Sequence, residues 1–261
     1  MKAMILAAGL GTRLRPLTDR CPKALVEVAG RPMLEIAIAR LRAAGVRELI
    51  INVHHFADMI ADYLKANNNF GLRIEISREE TLLDTGGGLK QAAWFFLKDS
   101  GKPEEPFFLH NVDVVSTIDL GRMLRFHAEQ RALATLAVQR RESSRYLLFD
   151  EQLQLGGRQT GPDAPPEIVR SSPHLEARAF CGIHVISPRL LAMMTEELPP
   201  QQANKSGDRE RVFSIISSYL KLAARGEKIV SFDADEYAWC DLGTPERVRR
   251  AAQQITDLPT P

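Results

Sequence analysis

Residues 3–23 read Ala-Met-Ile-Leu-Ala-Ala-Gly-Leu-Gly-Thr-Arg-Leu-Arg-Pro-Leu-Thr-Asp-Arg-Cys-Pro-Lys. The opening of this stretch, Ala3–Ala8, is a short continuous apolar run, as expected of a parallel strand covered on both faces. The run stops at Gly9. A loop follows that gathers Gly11, Thr12, Arg13, Arg15 and Lys23, stiffened by Pro16 and Pro22. A strand feeding a basic, glycine-rich loop predicts an open α/β sheet with a ligand site at its carboxyl edge. The loop suits phosphate: glycines let the backbone approach, N–H groups turn inward, and fixed positive charge neutralises the oxygens. Two other phosphate loops are excluded. The dinucleotide fingerprint needs a third glycine where Leu14 stands, and the Walker pattern needs a Gly-Lys-Ser/Thr that is absent.

Outward from the loop, strand and helix signals alternate. Leu34, Ala37, Ile38, Leu41 and Ala44 recur at helical spacing, and Gly45 is a stop. Leu49–Val53 reads as a strand. Phe56, Met59, Ile60, Tyr63 and Leu64 mark a helix ended by Asn67-Asn68-Asn69. Leu72–Ile76 is a third strand, Gly86–Phe96 a helix with a glycine-rich start, and Phe107–Leu109 a strand; Asp119 precedes the next helix. This alternation predicts a mostly parallel sheet with right-handed crossovers. After residue 133 the pattern changes. Ala134–Gln139, Tyr146–Phe149 and Leu153–Leu155 read as short strands, Gly156–Pro173 as an exposed loop, and Ala179–Ile186 as a strand. Phe213–Ala223 is a helix capped by Gly226. A strand near Lys228–Phe232, then Trp239-Cys240-Asp241, then a helix from Pro245 with Thr244 as N-cap, close the chain. The reading is one α/β domain over 1–261, Rossmann-like in its first half (1–133) and β-rich in its second (134–261).

Composition narrows the function. The 261 residues carry 34 basic and 33 acidic side chains, so there is no electrostatic footprint for nucleic acid or a membrane surface. No apolar run approaches the ~20 residues that span a bilayer. The apolar start ends at Gly9 and runs into arginines, so it reads as a buried strand rather than a secretory signal. Cys21, Cys181 and Cys240 form no Cys-x-x-Cys pair, which implies reduced thiols in a cytoplasmic protein.

Further segments carry candidate chemistry. His110-Asn111-Val112-Asp113 follows a strand, where an aspartate can hold Mg²⁺ against phosphate oxygens or simply cap a turn. Three glycines in Asp84-Thr85-Gly86-Gly87-Gly88 open a helix and would let a flat base or ribose lie on the backbone. Phe180-Cys181-Gly182-Ile183 is a strand with a lone glycine, which suits a bulge or a close approach. Trp239–Pro245 joins a strand end, a turn and a helix cap. His54, His55 and His110 lack a third ligand at metal-site spacing.

The run Gly11–Thr18, followed by Pro22-Lys23, resembles the signature of the sugar-1-phosphate nucleotidylyltransferases, Gly-Thr-Arg-Leu-x-Pro-Leu-Thr with Pro-Lys a few residues on. The wording of residues 84–88 is similar to that of the N-acetylmuramate-1-phosphate uridylyltransferase branch, and the chain as a whole resembles that branch and the mannose-1-phosphate guanylyltransferases most. The resemblance implies a GT-A-like nucleotidyltransferase fold and a sugar-binding second half. It implies nucleotidyl transfer from a nucleoside triphosphate to a sugar-1-phosphate, with release of pyrophosphate. Arg13 and Lys23 would be catalytic. Leu6, Ala8, Gly9, Gly11, Thr12, Asp84, Gly87 and Gly88 would join them around the nucleotide. Asp113 and Asp241 would hold Mg²⁺, which requires these distant carboxylates to converge. Asn111, Phe180, Gly182 and Ile183 would face the sugar. The chain departs from the family in two places. Val112 replaces a glycine, and no Glu-Lys-Pro stands between Gly156 and Arg178, so Lys205, Arg209 and Arg211 become substitutes for the sugar-phosphate anchor. No hexapeptide repeat of a left-handed β-helix is present. Two alternatives stay open: transfer to a polyol or cofactor phosphate, and a non-catalytic nucleotide-sugar-binding regulatory subunit. No Asp-x-Asp follows the fourth strand, which argues against a glycosyltransferase.

Overall fold

The alternation of apolar side chains along the first strands decides how the sheet is covered. The computed structural model describes residues 1–97, 105–161, 164–195 and 212–254. Its strands are β1 (Lys2–Leu6), β2 (Glu27–Val28), β3 (Arg31–Pro32), β4 (Glu48–Val53), β5 (Arg73–Arg78), β6 (Phe107–Asn111) and β7 (Val114–Ser116), then β8 (Ala134–Gln139), β9 (Arg145–Phe149), β10 (Leu155–Thr160), β11 (Glu167–Ile168), β12 (Glu176–Ile186), β13 (Ile229–Asp233) and β14 (Trp239–Asp241). The helices are α1 (Met33–Ala43), α2 (Ala57–Ala66), α3 (Asp84–Gln91), α4 (Ala93–Leu97), α5 (Leu120–Gln130), α6 (Arg189–Thr195), α7 (Ile215–Ala224) and α8 (Pro245–Gln254). Ala3, Ile5, Leu49 and Ile51 turn to one face of the sheet and pack on α1, α2, α5 and α8. Met4 and Ile50 turn to the other and meet Leu89, Phe95, Leu190 and Tyr219 of α3, α4, α6 and α7. The period of two thus feeds two cores, one per face.

Strands β5, β4, β1 and β6 lie side by side and parallel. Next to β6 comes β12, antiparallel to it and to β8, and β13 runs parallel to β8. The central order is therefore β5-β4-β1-β6-β12-β8-β13, with β12 alone reversed. The mostly parallel α/β sheet read from the sequence is the observed one. The first residues of β12, Glu176–Arg178, pair with β9 and carry the antiparallel ribbon β9-β10-β11. A separate two-stranded ladder joins β7 to β14.

Three local expectations shift. Leu153 is a turn residue at φ +63°, because the Asp150 carboxylate accepts from the Gln152 and Gln154 amides at 3.0 and 2.8 Å and delays the strand to Leu155. Much of Gly156–Pro173 is ordered as β10 and β11 rather than loop. Gly157 permits this: a Cβ there would lie 2.4 Å from the Glu167 carbonyl across the ribbon. The helix expected over Gly86–Phe96 starts at Asp84 and is interrupted at Ala92. Leu83 before it offers no side-chain cap; the Thr85 amide donates to Asp84 Oδ1 at 2.6 Å, and the N–H groups of Gly86 and Gly87 donate to the Phe213 carbonyl at 2.9 and 3.2 Å. The expected caps at Asp119 and Thr244 accept from Arg122 N at 2.8 Å and Arg247 N at 3.4 Å. No helix among the described residues is long and apolar enough to cross a membrane.

Candidate active site

In a parallel array the carboxyl ends of the strands fall along one edge, and here that edge is a cavity. Leu6 ends β1, Asn52 stands near the end of β4, Glu79 follows β5, and Asn111 ends β6. All four line a cavity of about 420 Å³ together with Ala8, Gly9, Lys23, Leu82, Asp84, Thr85, Asp113 and others. A second cavity of about 510 Å³ adjoins it and shares Asp84, Thr85 and Asn111. Its other wall is Arg145, Tyr146 and Leu147 of β9, Arg158 and Thr160 of β10, and Phe180 and His184 of β12.

The loop after β1 is shaped by Gly11. Its φ of +64° is left-handed, and a Cβ there would lie 2.9 Å from Thr18 Cγ2 and 3.1 Å from Lys23 Cβ. Thr18 Oγ1 donates to the Gly11 carbonyl at 2.8 Å and closes the loop. Leu14 is buried beneath it. This folding brings Lys23 to the cavity, where its ammonium pairs with the Asp113 carboxylate. Gly9 is different: a Cβ there would meet nothing within 4 Å, so no described neighbour accounts for the glycine. Thr12 and Arg13 are exposed on the loop, outside both cavities. Arg15 is an exposed surface residue, 3.5 Å from Asp19.

The two aspartates converge through the backbone. Asp241 lies opposite Val114 in the β7–β14 ladder, and the Leu242 amide donates to the Asp113 carbonyl at 2.8 Å. The Asp241 carboxylate accepts from the Gly243 amide at 3.1 Å and pairs with Arg247 of α8. Arg13 reaches the same place. A Cβ on Gly243 would lie 3.1 Å from Arg13 Nη2 and 2.8 Å from Asp241 Oδ1, so the glycine leaves room for the two side-chain ends to meet there. Lys23 and Asp113 thus stand on the wall of the first cavity, while Asp241 and Arg13 meet beside Gly243 on the neighbouring backbone, outside both cavities.

Other expected site residues are seated elsewhere. Gly86, Gly87 and Gly88 are buried and line neither cavity. A Cβ on Gly86 would lie 2.5 Å from the Phe213 ring, and one on Gly88 would lie 2.7 Å from Asn52 Nδ2 and Glu79 Oε1. These glycines admit protein, and it is Asp84 and Thr85 just before them that reach the cavity wall. Ile183 is wholly buried in the core, paired by backbone with His110. Gly182, at φ +73°, sits in a bulge of β12 where a Cβ would lie 2.8 Å from Asn111 Nδ2. It therefore supports Asn111, while Phe180 faces the second cavity. Lys205, Arg209 and Arg211 lie outside the described residues.

Sequence reasoning missed Asn52, Glu79, Arg145, Tyr146 and Arg158. Asn52 and Glu79 had a signal, being polar residues at the carboxyl ends of apolar strands. Burial also sets the charge of the histidines around the site. Desolvation pushes His110 down to about 4 and His184 down to about 3, so both rings are neutral near pH 7. His110 Nδ1–H donates to the Asn111 carbonyl at 2.8 Å, and His184 is joined to the Tyr219 hydroxyl at 2.9 Å.

A one-reversed-strand α/β sheet with a two-chambered site at its edge defines the GT-A-like nucleotidyltransferase fold. It is shared with the inositol-1-phosphate CTP transferase of T. maritima, at a TM-score of 0.70, 18% identity, and coverage of 100% of this chain and 98% of that one. The chain belongs to the nucleotidyl transferase family, whose model matches residues 2–152. It is 32% identical over 248 residues to a mannose-1-phosphate guanyltransferase of Yarrowia lipolytica, covering 94% of this chain and 61% of that protein. It is 32% identical over 262 residues to an N-acetylmuramate alpha-1-phosphate uridylyltransferase of Caulobacter vibrioides, covering 98% and 97%. The chain therefore spans about 61% of the length of the first relative and nearly all of the second.

Proposed function

We propose that this chain transfers a nucleotidyl group from a nucleoside triphosphate to a sugar-1-phosphate, releasing pyrophosphate. The observation that carries this reading is the pair of adjoining cavities with the Lys23–Asp113 pair on the wall of the first. Two substrates need two chambers with a common wall, and Asp84, Thr85 and Asn111 supply it. The triphosphate lies in the first cavity, its phosphates over Gly9 and Lys23. The sugar phosphate enters from the second. Its phosphate oxygen attacks the α-phosphorus in line, the bond to the β-phosphate oxygen breaks, and pyrophosphate leaves with that electron pair. Negative charge grows on the α-phosphate and the leaving group, so catalysis is positioning and neutralisation. Lys23 supplies a point charge and Arg13 a fork of donors.

Mg²⁺ suits the carboxylates present. It takes one or two of them and fills its remaining positions with water and substrate oxygens. Asp113 and Asp241, on hydrogen-bonded neighbouring backbones, would hold it, and it would supply charge neutralisation at the phosphates. The sugar phosphate lacks the family's lysine, and Arg145 and Arg158 take that role. Arg158 is already paired with Glu167 at 2.7 Å; Arg145 makes no side-chain hydrogen bond or ion pair among the described residues. The balanced charge and free cysteines fit a cytoplasmic enzyme.

Pyrophosphate release over a grid of nucleoside triphosphates and sugar-1-phosphates, with Mg²⁺, tests the reading. One pairing should turn over well above the others. No release from any pairing would refute it.

A further inference from the structure

The proposed reaction gives no role to one partner of Asp241. The carboxylate is held at both oxygens: Oδ1 accepts from the Gly243 amide at 3.1 Å, and Oδ2 pairs with the Arg247 guanidinium. Arg247 stands in the first turn of α8. Helical side chains lean toward the amino end of their helix, which carries this guanidinium back to β14. A cation in that turn opposes the helix dipole, which favours anions there. Helix electrostatics therefore do not account for the arginine, and Asp241 does. Little else holds it. The Arg247 side chain is half-exposed and makes no other hydrogen bond or ion pair among the described residues.

The charges around the two aspartates do not balance. Lys23 pairs with Asp113, Arg247 pairs with Asp241, and Arg13 Nη2 approaches Asp241 beside Gly243. Three cations thus face two carboxylates. Among the described residues no group of three or more Asp, Glu, His or Cys side chains is placed to hold a metal. Two carboxylates under three positive charges attract a bare divalent cation poorly. A divalent cation complexed by a triphosphate is still an anion, and the same three charges attract it.

We infer that Arg247 competes with the divalent cation for Asp241, so that the chain takes up the metal–triphosphate complex rather than the metal alone. The guanidinium and the cation seek the same carboxylate oxygen. Arg247 swings into water as the metal ligates, a movement its exposure makes easy. The inference rests on the reading of Asp241 as a metal ligand. Arg247 acts through Asp241 and touches no reacting atom.

Binding of Mn²⁺ to the full chain without nucleotide, read from the electron paramagnetic resonance of the free ion, is the test. Arg247→Gln should tighten binding about 10-fold, because it removes a unit charge beside a divalent one. Arg247→Lys, which keeps the charge, should stay within about 3-fold of the unaltered chain. Asp241→Asn should weaken binding. An arginine that merely braced Asp241 would move the affinity the other way, since Arg247→Gln would then loosen the metal. Should Arg247→Gln fail to fold, Mg²⁺ titration of the unaltered chain decides: the Arg247 Nε–H resonance, assigned with Arg247→Lys, should shift in step with the Gly243 amide. Arg247→Gln binding Mn²⁺ no more tightly than the unaltered chain, or a Gly243 amide that shifts while Arg247 does not, overturns the inference and leaves the proposed reaction standing. Asp241→Asn binding Mn²⁺ as tightly as the unaltered chain overturns it together with the metal site of the proposed function. The tighter Mn²⁺ binding of Arg247→Gln without pyrophosphate release from any sugar-1-phosphate would keep this inference and remove the proposed reaction.

Discussion

The first cavity takes its wall from the places where four parallel strands end, whereas the second takes its far wall from the middle of an antiparallel ribbon. In the first, Leu6, Asn52, Glu79 and Asn111 stand at or near where the chain leaves the sheet, and the following loops present backbone and charge. In the second, Arg145 opposite Thr160 and Leu147 opposite Arg158 share one face by the alternation of β9 and β10. Side chains on such a face can change without moving the backbone. Those at the strand ends are tied to loop geometry, as Gly11 and Gly243 show. On the proposed function, the rigid chamber performs the transfer and the exchangeable face selects the acceptor.

That contrast sets the order of expected effects. Lys23→Ala or Asp113→Asn should lower the kcat of pyrophosphate release by about 10²–10³-fold, as for loss of a transition-state charge contact. Near-normal kcat in either would break the contrast at its strongest point. Gly182→Ala should cost about 1–3 kcal/mol in a urea titration, since a Cβ at φ +73° meets Asn111 and Val114. An unchanged midpoint would show that the shared wall is slack.

The histidines give a slope on pH. Burial holds His110 and His127 at about 4 and His184 at about 3 in the folded chain, below the usual value near 6.5. As pH falls below about 6.5 the unfolded chain takes up protons that the folded chain refuses. Stability should therefore be level in this respect above that pH and drop by about 1.4 kcal/mol per pH unit for each histidine, down to the folded values. Urea midpoints at several pH values check this; a flat profile between pH 6.5 and 4.5 would contradict it. The smallest effect is expected in the second cavity. Arg145→Ala should raise the KM for the sugar phosphate about 5- to 10-fold and leave the nucleotide KM alone, because an exposed guanidinium gains modestly from a charged ligand. A fall in kcat with both KM values unchanged would move Arg145 into the transfer machinery.

The same division governs what the sequence made legible. The loop Gly9–Lys23, Asp113 and Asp241 stood out in the sequence because phosphate chemistry and the family signature ask for such residues, and the structure sets Lys23 against Asp113 with Asp241 on the neighbouring backbone. Strands β1, β4 and β6 were readable because each carries a nearly continuous apolar run and β5 because it alternates, whereas the two-residue β2 and β3 and the three-residue β7 are too short to show a pattern. Arg145 and Arg158 were not, since an arginine in a half-exposed strand looks like any solvated charge until the opposing strand is known. The glycines at 86–88 were misleading for a physical reason: a glycine marks a close approach but does not say whether a ligand or Phe213 makes it. Glu79 was passed over because a single glutamate after a strand usually ends in water.

The β7–β14 ladder has a consequence in time. Ribosomes make the chain from its amino end, so the loop and the four parallel strand ends exist long before Trp239–Asp241 emerges, more than two hundred residues after Lys23. The first chamber takes Val212 into its wall and the cores beneath it draw on Leu190, Tyr219 and Val248, so the amino-terminal half cannot close it alone, and Asp241 arrives only when the last strand docks against Val114–Ser116. Completion of the carboxylate pair is thus a late event in synthesis, and a truncated chain would hold half of it.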